Sequence, residues 1–207
     1  VQFKDHQAGI VLQAYVPDSF LIQQMLTKWA QKRVKNGGSP IKIRIVKGAN
    51  LQMEQVDSAI HNWPLPTYDN KSDVDANYKR MVIYGMIPEN TAAVNLGIAS
   101  HNIFELAFAY QVALSEGVLQ YVDFEMLEGM ADHIRRAVME DTNSVLLYTP
   151  TAEKEQFINA IAYLIRRLDE NTAPENFLRY ASNLKTGTPQ WTLQKNRFLE
   201  ATRKIDS

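Results

Sequence analysis

Cysteine is absent from the sequence, which excludes disulfides, thiolate nucleophiles and Cys-ligated metals and fits a reducing compartment. A charge excess is missing as well. The formal net charge is −1, too balanced for the broad basic field that holds nucleic acid or anionic lipid. No apolar run approaches the roughly 20 residues of a membrane span, and no signal peptide opens the chain. There is no Walker loop and no G-x-G-x-x-G fingerprint, so a Rossmann-type NAD site has no support. A nucleophile elbow is lacking too, and His61, His101 and His133 are not spaced as a metal set. No metal is expected. The chain starts at Val1 without a Met and soon enters an apolar strand pattern, as expected of a segment of a larger protein.

What remains is an ordinary globular chain of 207 residues, 45% hydrophobic and 22% charged, long enough to bury a core in one domain. Strand patterns over Ile10–Tyr15, Ile41–Val46, Ala93–Ala99, Tyr121–Leu127 and Ser144–Tyr148 alternate with amphipathic helices. The helices run from about Phe20 to Lys35, Leu51 to His61, Asp73 to Met86, Phe104 to Ser115, then up to Met139, and from Glu153 to Glu170. A long irregular loop, 62–71, interrupts this order, and such loops in compact domains are usually functional. Five strand–helix units with strands too apolar for half-exposure predict a parallel sheet covered by helices. Five strands cannot close an eight-stranded barrel, so the sheet is either open or part of a larger one. A polar helical tail holding Trp191 and Phe198 follows Asn171.

Polar residues cluster where these strands end: Gln13, Arg44 with Lys47, Ser100 with His101, Glu125 and Tyr148. In parallel α/β folds that edge is where ligands sit. Arg44 alternates with isoleucines and needs an anionic or hydrogen-bonding partner, either a ligand or an internal carboxylate such as Glu125. Lys47-Gly48-Ala49 reads as a chain turn or as a close backbone approach to a bound ring or phosphate. Ser100-His101-Asn102 reads as a strand end with a helix cap or as a binding loop. On the last helix, Phe157, Ile158, Ile161, Leu164, Ile165 and Leu168 form one stripe expected to be buried. Tyr163, Arg166, Arg167 and Glu170 share a second arc. Two adjacent guanidiniums make a cradle for a small carboxylate, or else a solvated face with an Arg166–Glu170 pair.

Six segments in register carry a resemblance: Ala8–Tyr15, Arg44–Ala49, Ala99-Ser-His-Asn102, Leu127-Glu-Gly-Met130, Tyr148-Thr-Pro150 and Tyr163-Leu-Ile-Arg-Arg-Leu-Asp-Glu170. Together they resemble the proline dehydrogenase domain of bifunctional proline-utilisation flavoenzymes, over nearly the whole chain to about Ala181. The resemblance implies a (βα)8 TIM-like barrel of which residues 1–171 form about strands four to eight, with 172–207 a helical connector. It implies FAD as cofactor and oxidation of L-proline to Δ1-pyrroline-5-carboxylate, with hydride passing to flavin N5 and electrons to quinone. Arg166 and Arg167 clamp the proline carboxylate in that picture, Tyr163 and Leu127 pack its ring, and Tyr148 joins the network behind it. Gln13, Arg44, Lys47, Gly48, Ala49, Lys71, Ser100, His101, Asn102 and Glu170 hold the FAD.

The family further implies a linked aldehyde dehydrogenase domain and a cytoplasmic enzyme, peripheral at the inner membrane face. An incomplete barrel with two unpaired edges implies a homo-oligomer, a rearrangement or a neighbouring remainder, and no activity for this segment alone. Asn50-Leu51 stand where the family has an aromatic pair, and Glu125 where it usually has Gln. Two other readings stay open: a flavin-free barrel lyase with Lys47 as Schiff-base amine, and a non-catalytic module that binds an amino acid or a partner helix.

Overall fold

In the computed structural model, which describes residues 3–142 and 145–206, five strands form one sheet: β1 (Gly9–Gln13), β2 (Ile41–Val46), β3 (Val94–Ala99), β4 (Val122–Leu127) and β5 (Leu146–Tyr148). Every pair is parallel and the spatial order is the chain order, β1-β2-β3-β4-β5. A doubly wound sheet reverses its strand order at a switch point; this one does not. Right-handed crossovers then put the connecting helices on one face, which is the curvature of a barrel arc. The expected α/β class and incomplete barrel hold.

The helices between strands are α1 (Ser19–Lys35), α2 (Leu51–His61), α3 (Lys71–Gly85), α4 (Pro88–Thr91), α5 (Ile103–Ser115) and α6 (Asp132–Thr142). After β5 come α7 (Phe157–Thr172), α8 (Leu178–Ala181) and α9 (Pro189–Arg203). Short 3-10 turns at Leu119–Tyr121 and Lys154–Gln156 take up residues expected to start β4 and α7. Asn102 caps α5, its Oδ1 accepting from the Phe104 amide at 3.0 Å. Asn70 caps α3 through the Asp73 amide at 3.0 Å, so that helix begins two residues earlier than its sequence pattern suggests.

The period-two pattern decides which face of the sheet is core. Ile41, Ile43 and Ile45 are 6%, 0% and 0% exposed and pack with Leu96, Ile98, Phe124 and Met126 beneath the helices. Lys42, Arg44 and Val46 point to the opposite, concave side. Gly97 makes room there. A Cβ on it would collide with Oε1 of Glu125 and come within 3.1 Å of the Lys42 side chain.

Two sequence expectations are corrected. The strands are not all buried: on β1, Ile10 and Val11 are exposed, as is Leu146 on β5, because each edge strand has a neighbour on one side only. The apolar stripe of α7 is exposed as well, from 38% at Ile161 to 70% at Ile158. Helical spacing sets which residues share a face, and that face finds no partner among the described residues.

Candidate active site

The carboxyl ends of β1–β4 lift Gln13, Lys47, Ser100, His101 and Leu127 to one edge of the sheet. There a cavity of about 430 Å³ opens, a size in the range of small-molecule sites. Its walls include twelve of the residues predicted from sequence: Gln13, Arg44, Lys47, Gly48, Ala49, Lys71, Ser100, His101, Asn102, Leu127, Tyr163 and Arg167. Tyr148 borders an adjoining pocket with Tyr163, and its ring carries the Arg44 guanidinium, 4.2 Å from the centroid. The Glu170 side chain lies outside the described residues. Arg166 is exposed and lines neither pocket. The two guanidiniums therefore do not face one cavity. Consecutive helix positions diverge by about 100°, and α7 turns Tyr163 and Arg167, one turn apart, toward the cavity. The Arg167 guanidinium sits 5.3 Å from the Tyr163 ring centroid.

Arg44 finds the internal carboxylate that its burial demands. Its Nε donates to Oε2 of Glu125 at 2.6 Å, and the Glu125 side chain is fully buried. Lys42 Nζ sits 2.6 Å from the other oxygen and donates to Oδ2 of Asp123 at 2.8 Å. Burial and the Glu125 charge raise the pKa of the Tyr148 phenol.

Behind Gln13 the chain is pinned. Tyr15 and Lys47 continue the β1–β2 pairing through a 2.8 Å amide bond, and the Tyr15 carbonyl accepts from Tyr68 of the 62–70 loop at 2.9 Å. Gly48 has φ +116°, and a Cβ there would stand 2.5 Å from the Tyr15 ring. A side chain at position 48 would thus meet the protein's own aromatic ring, and Gly48 also lines the cavity.

A buried ionic cluster lies under the cavity. Lys47 Nζ is 2.7 Å from Oδ1 of Asp75 and 3.0 Å from Oε1 of Glu105. Lys79, with no exposed side chain, donates to the same Glu105 oxygen at 2.7 Å, and Lys71 stands 3.4 Å from Asp75. Burial opposes the charge on Lys47, but the carboxylates of Asp75 and Glu105 more than offset this and raise its pKa. Burial also raises the Asp75 carboxyl, and Lys47 and Lys71 reverse the effect, bringing it down to about 2. Lys71 and Lys79 are lowered, mainly by burial. Three cations against two carboxylates leave one positive charge in excess, which suits an anionic ligand. A Schiff-base lysine needs a lowered pKa to be a nucleophile; Lys47 has the reverse, and the lyase reading loses its chemistry.

His101 is held neutral. Burial lowers its pKa, and the Leu127 amide donates to Nε2 at 3.1 Å, which leaves the ring proton on Nδ1. Ser100 Oγ accepts from the Asn102 amide at 3.1 Å, so the Ser100–Asn102 segment both caps α5 and lines the cavity.

Sequence reasoning missed Asp75, Glu105, Gln194, Arg197 and Phe198, which also line the cavity. Asp75 follows Lys71 by one helical turn, a spacing that could have flagged it. The last three come from α9, which packs on α3 and α5, and nothing local in the sequence signals that contact.

A sequential parallel sheet with convergent polar side chains at its carboxyl edge is the active-site architecture of barrel enzymes. Residues 2–180 match the proline dehydrogenase family, and the chain belongs to that family. Among solved structures it is similar to proline utilization A from Corynebacterium freiburgense, 43% identical with TM-score 0.85 over 98% of this chain and 19% of that one. It also resembles proline utilization A from Bdellovibrio bacteriovorus, solved after inactivation by N-propargylglycine, at 34% identity and TM-score 0.81 over 98% of this chain and 20% of that one. Proline dehydrogenase 2 of Bacillus subtilis is 28% identical over 62% of this chain and 36% of its own length. The chain thus spans about a third of that relative and about a fifth of the two solved chains.

Proposed function

We propose that this chain forms the flavin- and proline-binding part of an FAD-dependent enzyme that oxidises L-proline to Δ1-pyrroline-5-carboxylate. The observation that carries the reading is the convergence of Gln13, Lys47, Ser100, His101, Tyr163 and Arg167 on one cavity at the strand ends. The donor set fits a flavin, since an amide, an ammonium, a hydroxyl and an imidazole face a space bounded by backbone at Gly48-Ala49. When bound, the flavin supplies the hydride acceptor for proline C5.

The chain's own residues do the rest. Arg167 takes the proline carboxylate in its planar fork. Tyr163 and Leu127 flank the pyrrolidine ring and exclude water. The excess positive charge of the Lys47 cluster favours negative groups of the cofactor. Arg44, neutralised by Glu125 and backed by Tyr148, presents remaining N–H donors without adding net charge. Arg166, exposed on α7, is left out of the carboxylate contact.

By the same reading, quinone takes the electrons and an aldehyde dehydrogenase domain in the larger protein takes the product. Among the described residues no helix is long and apolar enough to cross a membrane; by this reading the larger protein meets membrane quinone peripherally. The test is the visible absorption spectrum of the purified full-length protein. Flavin bands that bleach on adding proline are expected. A colourless protein, or bands indifferent to proline, would overturn the assignment.

A further inference from the structure

Helix α1 is built inside out. The side turned to the protein is small or polar: Ser19, Gln23 and Thr27 are buried there, and Gln23 Nε2 donates to the Met81 carbonyl of α3 at 2.9 Å. Gly85 of α3 leaves no room for more bulk, since a Cβ on it would stand 3.0 Å from Gln23 Nε2. The large apolar residues point the other way. Leu21, Ile22, Met25 and Trp29 form one stripe, exposed from 41% at Ile22 to 63% at Met25. Single exposed apolar side chains are ordinary, whereas a contiguous stripe rimmed by polar residues marks an interaction surface. The rim here has one sign. At about 100° per residue Lys28 and Lys32 fall beside Leu21 and Met25, and with Lys35 they are exposed. The helix contains no Asp or Glu. Its remaining cation, Arg33, is turned inward and donates to the carbonyls of Phe3, Lys4, His6 and Ser39.

Helix α2 repeats the pattern with the opposite sign. Met53, Val56 and Ile60 recur at three- and four-residue steps and are exposed from 54% at Val56 to 70% at Ile60. Trp63, stacked on His61 with ring centroids 4.4 Å apart, extends the stripe past the helix end. Glu54 and Asp57 border it, and the helix contains no Lys or Arg. Of its eleven residues Ser58 alone is buried.

We propose that α1 of one copy docks against α2 of a second copy, apolar stripe on apolar stripe, with the lysine rim facing the carboxylate rim. The lengths match: Leu21 to Trp29 and Met53 to Ile60 each run about 10–12 Å at 1.5 Å per residue. The signs match as well, and complementary rims decide which pair of surfaces meets. An anionic lipid surface would suit α1, but it offers α2 nothing and repels its carboxylates. Used twice about a twofold axis, with each copy lending both helices, the contact closes as a dimer.

The experiment measures self-association of the full-length protein by sedimentation, for wild type and for two charge-reversed variants, Lys28→Glu with Lys32→Glu and Glu54→Lys with Asp57→Lys. In each variant both rims carry one sign, so each alone should dimerise about tenfold or more weakly than wild type. Mixed in equal amounts the two variants are complementary again, and the wild-type affinity should return. High salt should weaken the wild-type contact, because its exposed charges are screened. Variants that associate as wild type does, or a mixture no tighter than its components, overturn the contact. So does a lysine variant that keeps wild-type association but loses binding to phosphatidylserine vesicles, which would assign α1 to a lipid surface. Should a double reversal fail to fold, the single changes Lys32→Glu and Asp57→Lys, both at exposed positions, carry the same comparison.

Discussion

Arg44 and Glu125 stand on β2 and β4, two strands that are not neighbours, and meet at 2.6 Å across β3. They meet because position 97 on the intervening strand is glycine. Its missing side chain is the space that the Glu125 carboxylate occupies. Gly97→Ala therefore displaces a buried, ion-paired group, and overpacking of this kind costs about 1–3 kcal/mol. Urea unfolding should show a lower midpoint, and Arg44 should lose its alignment over Tyr148. An unchanged midpoint would mean that the strand yields without effect.

Lys79 is a buried cation that pairs with Glu105 at 2.7 Å. Lys79→Met removes one of the two cations on that carboxylate and leaves Lys47 to hold it alone. Because Lys47 and Lys71 still balance Asp75 and Glu105, the cost should stay below the roughly 3–5 kcal/mol of a buried charge left alone. Adding Glu105→Leu leaves Lys47 and Lys71 against Asp75 alone, so the double variant should be less stable than Lys79→Met. A double variant as stable as the single one would argue that packing, not charge, sets the cost.

Asp75 makes acid stability depend on the same cluster. Its folded carboxyl lies at about 2 against the ordinary 3.8. Between those values the unfolded chain binds more protons, so stability rises with pH there. The contribution is fully present above about 4, and falls away as pH drops toward 2. In Asp75→Asn the wild-type slope of urea midpoint against pH should flatten in that window. A slope equal to wild type would place the acid sensitivity elsewhere.

The exposed stripe of α7 and the open edges of β1 and β5 predict the behaviour of the 207-residue chain by itself. Apolar patches and unpaired strand edges of this kind drive association. Sedimentation of the isolated polypeptide should show self-association, and a proline:dye reductase assay should show no turnover. A monomer with wild-type activity would contradict both expectations.

How much of this was legible depended on the range of the cause. Alternation of Ile41, Ile43 and Ile45 with Lys42 and Arg44 is local, so both the strand and its core face could be read from the sequence. The cluster was not legible. Lys71, Asp75 and Lys79 recur every four residues on α3 and look like a solvated face; Asp75 and Lys79 are buried nonetheless, on a helix against which α5 and α9, distant in sequence, pack. The α7 stripe is a middle case. Its period was read correctly, but spacing says only that a face is apolar, never what it meets. The placement of Arg166 failed for a related reason: an arc of about 100° is wide enough to put one guanidinium in a cavity and its neighbour in solvent.

That difference between adjacent arginines gives the sharpest test of the carboxylate contact. Arg167 lines the cavity beside Tyr163, and Arg166 is exposed. Arg167→Lys keeps the charge but loses the bidentate fork, so in the full-length enzyme KM for proline should rise by about tenfold or more, the equivalent of roughly 1.4 kcal/mol. Arg166→Lys should change KM much less, because an exposed cation contributes little through solvent. Equal, large increases in both variants would show that α7 rotates to bring the second guanidinium inward when substrate binds. Unchanged KM in Arg167→Lys would remove the carboxylate clamp from this helix altogether.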